Sequence, residues 1–104
     1  MSGITTHVLD TSVGRPAGGV AVRLLRDGEE VTSGRTDDDG RWLALTGEAT
    51  TTGDYQLSFA TGDYFNGASF HPQVTVDFIV SDPAQHHHVP LLLSPFGYTT
   101  YRGS

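Results

Sequence analysis

The chain has 104 residues, of which 12 are acidic and six are basic, so its formal net charge is −6 at pH 7. This length predicts a single domain over residues 1–104, and the acidic surface argues against nucleic acid as a partner because it repels phosphate backbones. The chain contains neither cysteine nor lysine, which excludes disulfides, thiolate metal sites, cysteine nucleophiles, Schiff-base chemistry and a Walker-type phosphate loop.

Eight short strands separated by turn residues are predicted, in chain order, over residues 4–10, 20–26, 31–36, 41–45, 55–59, 74–80, 86–93 and 98–102. Apolar residues at every second position, as over residues 20–24, indicate strands with one buried face. Asp27-Gly28 is the strongest hairpin signal, residues 11–16 form a turn, and the helix candidate runs over residues 61–67. The succession predicts an all-β fold, an eight-stranded antiparallel two-sheet sandwich with one short helix.

The histidines of two predicted strands are the first candidates for chemistry. His7 lies within the first strand, and His86 and His88 share one face of the penultimate strand while His87 points to the other. One of the two possible parities of the last strand adds Tyr101 to a face that already carries histidines. Such a site would combine polar tips with apolar walls, as small-molecule pockets do. A lone strand histidine is more often a structural residue, and the residues alone do not establish that these strands meet.

The C-terminal stretch carries a family resemblance. Residues 88–104, which read His-Val-Pro-Leu-Leu-Leu-Ser-Pro-Phe-Gly-Tyr-Thr-Thr-Tyr-Arg-Gly-Ser, closely resemble the C-terminal signature of the 5-hydroxyisourate hydrolases of the transthyretin-like family. The final Tyr-Arg-Gly-Ser is the tetrapeptide that separates those enzymes from the carrier transthyretin. Four further segments are similar to family motifs, in order His7–Asp10, Gly14–Ala17, Asp39–Arg41 and Thr61–Phe65. One departure is His87, where many relatives have an aromatic residue.

The resemblance implies a transthyretin-like sandwich that assembles as a homotetramer, with active sites in clefts at the dimer–dimer interface. It implies hydrolysis of a small purine-derived substrate, 5-hydroxyisourate, to a ring-opened carboxylate in urate breakdown, with no cofactor and no metal. The matching catalytic positions are His7, Arg41 and His88. The matching substrate-binding positions are His7, Arg41, Tyr101 and Ser104.

These residue types suit that reaction. Histidine titrates near working pH and can move protons to and from water and the departing nitrogen. Arg41 offers a fork of N–H donors whose charge persists at neutral pH, and it can hold substrate carbonyl or enolate oxygens. Ser104 could contribute its hydroxyl or a terminal carboxylate, and the sequence does not separate the two.

Other interpretations stay open at this point. Arg41 could pair with the Asp37–Asp39 turn, Tyr101 could be an ordinary sheet aromatic and Ser104 a frayed terminus. The whole protein could be a non-enzymatic transthyretin-like carrier, although a carrier needs no cluster of two histidines and an arginine. A metal-binding role for the triple histidine is a further alternative, but at most His86 and His88 share a face, and two ligands are too few for a closed zinc site.

The sequence also predicts where the protein works. Its longest apolar segment, residues 89–93, is of strand length, which argues against a membrane span. The first residues lack the basic and apolar regions of a signal peptide, and the last three are not a Ser-Lys-Leu peroxisomal address. We therefore expect a cytoplasmic protein.

Overall fold

The computed structural model describes residues 2–104, and over that range the chain forms nine strands and one short helix. The strands are β1 (Gly3–Asp10), β2 (Arg15–Pro16), β3 (Ala21–Arg26), β4 (Glu29–Arg35), β5 (Arg41–Thr46), β6 (Gly53–Phe59), β7 (Val74–Val80), β8 (His86–Leu93) and β9 (Tyr98–Thr100). Helix α1 (Thr61–Tyr64) lies between β6 and β7. One sheet has the order β2-β1-β8-β9, with β5 also pairing with β1, and the other has the order β4-β3-β6-β7. The predicted two-sheet sandwich with one short helix is confirmed.

The core lies between the two sheets and is supplied by alternate residues of each strand. Ile4 and Val8 of β1, Val22 of β3, and Leu57 and Phe59 of β6 are all at most 1% exposed. Burial of a side chain of this size stabilises the fold by roughly 1.5–3 kcal/mol. The positions between these core residues point outward, which leaves the outer face of the first sheet available for polar side chains.

Two turns explain where neighbouring elements begin and end. Asp27 and Gly28 adopt φ values of 50° and 87°, as a two-residue hairpin loop requires, so β4 pairs from Glu29 onward and begins two residues earlier than predicted. Helix α1 is shorter than predicted: it ends at Tyr64, not at residue 67. The reason is that Asn66 and Gly67 have φ values of 54° and 83°, outside the helical region.

The pairing of β1 differs from the prediction in two respects. β1 runs parallel to β8, whereas the sequence was interpreted as antiparallel throughout; the other strand pairs are antiparallel. A parallel pair needs a long crossover, and the chain supplies one because β3 to β7 lie between these strands in sequence. Arg15–Pro16, predicted as turn, forms the short strand β2 against Leu9 and Asp10.

The last strand is also shorter than predicted. β9 ends at Thr100, not at Arg102, and pairing with β8 resumes in a single bridge between His88 and Gly103. The segment after β9 therefore still runs alongside β8.

Helix α1 is tied to β1 through a buried carboxylate. The Tyr64 hydroxyl donates to Asp10 Oδ2 over 2.8 Å, and the Ser12 backbone N–H donates to Asp10 Oδ1 over 3.0 Å. Burial by itself raises the pKa of Asp10, but the hydrogen bonds from Ser12 and Tyr64 outweigh it and the pKa is lowered. Burial, followed by the hydrogen bond to Asp10 and its charge, raises the pKa of Tyr64 to about 12.

Within residues 2–104, helix α1 is far too short to span a membrane, and no longer apolar helix is present.

Candidate active site

The register of three neighbouring strands gathers the predicted site residues on one face. β1 lies between β5 and β8, and His7 is directly opposite Arg41 of β5 and Pro90 of β8. Directly opposed residues project to the same face of a sheet, as do residues two apart on one strand. His7, Arg41 and His88 therefore share the outer face of the first sheet, opposite the face that buries Val8.

The orientation of His7 is set by the turn before β5. Its Nε2 donates to the backbone carbonyl of Asp39 over 2.9 Å; because a carbonyl only accepts, the proton of neutral His7 sits on Nε2 and Nδ1 is left bare. The turn is itself fixed, since Asp37 Oδ1 accepts from the backbone N–H groups of Asp39 and Arg41 at 2.9 Å each. Gly40 has a φ of 75°, and a Cβ there would collide with the carbonyl of Val8. A glycine is thus needed where the turn crosses β1.

Arg41 presents its guanidinium to solvent at the start of β5. Its backbone N–H is bound by Asp37, as described above, but the two ion pairs found within residues 2–104 are Arg23–Glu30 and Arg26–Asp27. The alternative interpretation, in which the side chain of Arg41 pairs with the acidic turn, is therefore not what the structure contains. Its planar fork of donors remains open to a ligand.

The ring of His88 is held at one nitrogen and open at the other. Nδ1 lies 2.8 Å from Thr5 Oγ1, which leaves Nε2 as the nitrogen that can meet a ligand. Burial lowers the pKa of His88, and the positive charges of His86, His7 and Arg41 lower it further. A neutral imidazole with one open nitrogen suits proton abstraction.

The C-terminal segment crosses the edge of the same ring. The Gly103 N–H donates to the His88 carbonyl over 2.8 Å, and a Cβ at Gly103 would lie only 2.6 Å from Cδ2 of His88 and 3.1 Å from Cγ of Pro90. Only glycine allows so close an approach without a shift. The contact brings the following residue, Ser104, to the rim of the site.

A surface cavity of about 380 Å³ lies on this face, within the range typical of small-molecule sites. Its lining residues come from β1, the turn before β5, β5, β8 and the C-terminus: Thr5, Thr6, Asp37, Arg41, Trp42, Leu43, His86, His88 and Ser104. The structure thus brings together Arg41, His88 and Ser104 of the predicted residues. His7 is beside Arg41 in register but is not in the lining.

Tyr101 lies apart from this cavity. It is 57% exposed and lines a different cavity, of about 330 Å³, which opens between the edges of β7 and of β8 and β9 and also touches His88. A single chain therefore does not bring Tyr101 to Arg41 and Ser104.

The other two histidines of β8 lie on opposite faces, as strand parity predicted. His87 is 6% exposed, and within residues 2–104 its Nδ1 has no hydrogen-bond partner. His86 is on the outer face, with Nε2 2.8 Å from Thr5 Oγ1. Among residues 2–104 no group of three or more histidine, aspartate or glutamate side chains is arranged to hold a metal ion.

Three residues of the site were missed by sequence reasoning. Thr5 was not considered, and neither Gly103 nor His86 was given a role in the hydrolysis. Strand parity could have found Thr5, which lies two residues before His7 and so shares its face. Nothing in the sequence alone revealed that Gly103 approaches His88.

The chain is similar to known proteins along its whole length. Residues 4–103 match the model of the HIUase/Transthyretin family. The chain is 50% identical over 115 aligned residues to a 5-hydroxyisourate hydrolase of Caulobacter vibrioides, with all of both chains covered. It superposes on the structure of Klebsiella pneumoniae 5-hydroxyisourate hydrolase with a TM-score of 0.90, at 38% identity and with full coverage of both chains. Transthyretin from Sparus aurata superposes equally well, with a TM-score of 0.90, but at 30% identity, covering 99% of this chain and 97% of the other.

Proposed function

The chain belongs to the HIUase/Transthyretin family and is a hydrolase, and from this premise we propose that it hydrolyses 5-hydroxyisourate to a ring-opened carboxylate in urate degradation. The observation that carries the proposal is the cluster of Arg41, His88 and Ser104 around one cavity on the outer face of the first sheet, with His7 next to Arg41. Two relatives that match along their whole length, those of Caulobacter vibrioides and Klebsiella pneumoniae, are named as 5-hydroxyisourate hydrolases.

The reaction needs a base for water, and His88 is the best candidate. Water must attack a ring carbonyl carbon, and it does so faster when a neighbouring group removes its proton. His88 lines the cavity, its Nε2 has no hydrogen-bond partner among residues 2–104, and its pKa is lowered, so it is neutral and able to accept a proton at pH 7. General base help of this kind is typically worth on the order of 10² to 10⁴ in rate.

Arg41 answers the second need, which is to stabilise the negative charge that develops on the carbonyl oxygen. Its guanidinium has no ion-pair partner among residues 2–104, so none has to be displaced when substrate enters. Loss of one such donor in an oxyanion site costs about 10² to 10³ in turnover. We expect Arg41 and Ser104 together to orient the planar substrate.

The departing ring nitrogen needs a proton, and His7 is the candidate that remains. His7 can do so only by relaying the proton that His88 has taken from water, because its own Nε2 proton is held by the Asp39 carbonyl. Its position opposite Arg41 and its bare Nδ1, which can accept that proton and pass it on, support this role. Tyr101 is proposed as a further substrate contact, reached across an interface with another subunit.

Assembly as a homotetramer, with the outer faces of two dimers enclosing the sites, forms part of the proposal. Leu43, which lines the cavity, is 55% exposed, and Tyr101, which lines the neighbouring cavity, is 57% exposed. Both are apolar surface that a neighbouring subunit would cover. An enclosed site would exclude water and strengthen the electrostatic contribution of Arg41.

A cytoplasmic location likewise stays a prediction, checked by cell fractionation.

The alternative function is that of a carrier, and the structural similarity to transthyretin favours it as the second candidate. A carrier must hold its ligand unchanged, and it gains nothing from a neutral histidine beside an unpaired arginine. The presence of His88 and Arg41 in the lining of the cavity therefore favours hydrolysis.

The test is to generate 5-hydroxyisourate in place with urate oxidase and to follow its ultraviolet decay with and without the protein. We expect the wild type to accelerate the decay and Arg41→Lys to lower turnover by about 10²-fold, because lysine lacks the planar fork. Arg23→Lys is the matched control, since Arg23 forms an exposed ion pair on β3, in the other sheet. Decay unchanged by the wild-type protein would end the proposal, and binding of the compound without turnover would favour the carrier.

A further inference from the structure

A threonine hydroxyl joins two histidines on the outer face. Thr5 Oγ1 lies 2.8 Å from His86 Nε2 and 2.8 Å from His88 Nδ1. The register explains the arrangement, because Thr5 is directly opposite His88 across the parallel pair and His86 is two residues away on the same face of β8. The centroids of the two rings lie 6.1 Å apart in an edge-to-face arrangement, and the hydrogen bonds of both rings at these nitrogens go to Thr5. Thr5 is therefore the link between them.

A hydroxyl group has a single proton and two lone pairs. If Thr5 donates to His86, the second hydrogen bond must come from His88, whose Nδ1 then carries the proton and whose Nε2 is bare. If Thr5 donates to His88, the reverse holds, and Nε2 of His88 carries the proton. The direction of the chain of hydrogen bonds therefore decides whether His88 meets the cavity as a base or as an acid.

We propose that Thr5 and His86 are positioning residues that hold His88 with its proton on Nδ1 and accept that proton when Nε2 takes one from water. The proposal rests on the proposed function, because it assigns a role in the same hydrolysis. The direction follows from charge: Arg41 lines the same cavity, and a bare Nε2 turns a lone pair towards that cation where the other tautomer would turn an N–H dipole.

The proton transfer takes place in three steps along the chain of hydrogen bonds. Water loses a proton to Nε2 of His88, the Nδ1 proton passes to Thr5 Oγ1, and the Thr5 proton passes to Nε2 of His86. His86 ends protonated, and His88 is again neutral but with its proton on Nε2, where it faces the cavity as an acid. When Nε2 of His88 gives up its proton towards the departing ring nitrogen, the extra proton of His86 returns through Thr5 to Nδ1 of His88, which restores the starting tautomer.

The charges around the pair come from β1, β5, β8, the turn before β5 and the C-terminal segment. His7 of β1 and Arg41 of β5 lower the pKa of His88, as does His86 itself, after the larger effect of burial. Asp37 lines the same cavity, and Arg102 approaches the backbone carbonyl of His86 at 3.5 Å. Removal of the imidazole at position 86 takes away one positive neighbour, so the pKa of His88 should rise.

The test compares three full-length variants with the wild type. Thr5→Val keeps the shape and removes the hydroxyl, Thr5→Ser keeps the hydroxyl, and His86→Gln keeps a hydrogen-bonding group near the Nε2 position but does not titrate. We expect Thr5→Val and His86→Gln to lower kcat roughly 10-fold or more, a part of the 10² to 10⁴ that general base catalysis supplies, with KM within about twofold. We expect Thr5→Ser to remain within about threefold of the wild type. The acid limb of the kcat profile should move to higher pH in His86→Gln.

Nitrogen-15 spectra of the histidine rings give a readout that does not depend on turnover. In the wild type at neutral pH, His88 should show its proton on Nδ1, and in Thr5→Val this tautomer should be lost. A wild-type spectrum with the proton on Nε2, or wild-type kcat in Thr5→Val, would overturn the proposal. If the wild type fails to hydrolyse 5-hydroxyisourate, the proposed function fails, and the spectra still report whether the tautomer is set by Thr5.

Discussion

Gly103 is the point at which the C-terminal segment touches the ring of His88, and Gly103→Ala is the sharpest perturbation of the site outside its polar residues. The added Cβ would lie 2.6 Å from Cδ2 of His88 and 3.1 Å from Cγ of Pro90, whereas carbon atoms in favourable contact lie about 3.5–4.0 Å apart. Either the ring or the segment must therefore move by about 1 Å. His88 resists through its hydrogen bond to Thr5, so we expect both to shift in part.

A displacement of this size predicts a large loss of activity and a small loss of stability. Misplacing a reacting group by about 1 Å can cost 10²-fold in rate, so kcat/KM should fall by about that factor, equivalent to about 2.7 kcal/mol of transition-state stabilisation. Stability should fall by at most the hydrogen bond from the Gly103 N–H to the His88 carbonyl, about 0.5–1.5 kcal/mol. For a domain of this size, 1 kcal/mol corresponds to roughly 4–8 °C in Tm.

Gly97→Ala is the matched control, because it changes another glycine of the same C-terminal hairpin. The nearest atom to a Cβ there is Ser94 Oγ at 3.9 Å, an ordinary contact. Decay of 5-hydroxyisourate and thermal unfolding would be measured for both variants. If Gly103→Ala were as active as Gly97→Ala, the close packing of Gly103 on His88 would have no catalytic role and the reasoning would be refuted.

Three further predictions follow from buried or shifted groups. His87→Phe removes a buried nitrogen that has no hydrogen-bond partner within residues 2–104, so the free energy of unfolding should increase by about 1 kcal/mol or more. The measurement is a rise in Tm with kcat unchanged, and a lower Tm would contradict the prediction. Tyr64→Phe removes the hydrogen bond to Asp10 and should lower the free energy of unfolding in urea by about 1.5–3 kcal/mol, since the acceptor is charged. An unchanged urea midpoint would show that this hydrogen bond does not stabilise the fold. Because the pKa of His88 is lowered from 6.5, kcat/KM should keep its value just below pH 6.5 and fall only at lower pH. The contribution of His88 to the free energy of unfolding is present above pH 6.5 and should be lost as pH falls through the pKa of the folded state. An acid limb of the kcat/KM profile at or above pH 6.5 would contradict the lowered pKa.

Much of the fold was accessible from the sequence because the apolar residues alternate. β7 and β8 have the predicted bounds, and the hairpin at Asp27-Gly28 forms as its turn chemistry requires. The parallel pairing of β1 with β8 was not accessible, since alternation along a strand marks its buried face but carries no information on its neighbours. The early end of α1 depends on the left-handed backbone of Asn66, and a left-handed conformation is uncommon at a residue other than glycine, so the sequence did not predict it.

The candidate site divides in the same way. Parity on β1 and β8 allowed a site lined by both His7 and His88 but left open whether the strands meet, and the register has both residues on the outer face. The position of Arg41 opposite His7 depends on the pairing of β5 with β1, a contact between distant parts of the chain. The link through Thr5 depends on the parallel register with β8, which the sequence did not reveal. Local patterns thus predicted the faces, and tertiary pairing determined which residues meet.

The central claim is that the open nitrogen of His88 performs the proton transfer of the hydrolysis. The direct measurement is the decay of 5-hydroxyisourate in the presence of His88→Ala, with His71→Ala as control, because His71 makes edge-to-face contacts with Phe70 and Tyr98 and does not line the cavity. We expect turnover by His88→Ala to fall by about 10² to 10⁴, while His71→Ala keeps the wild-type rate and both variants keep the wild-type oligomeric state. A His88→Ala protein as active as the wild type would contradict the account.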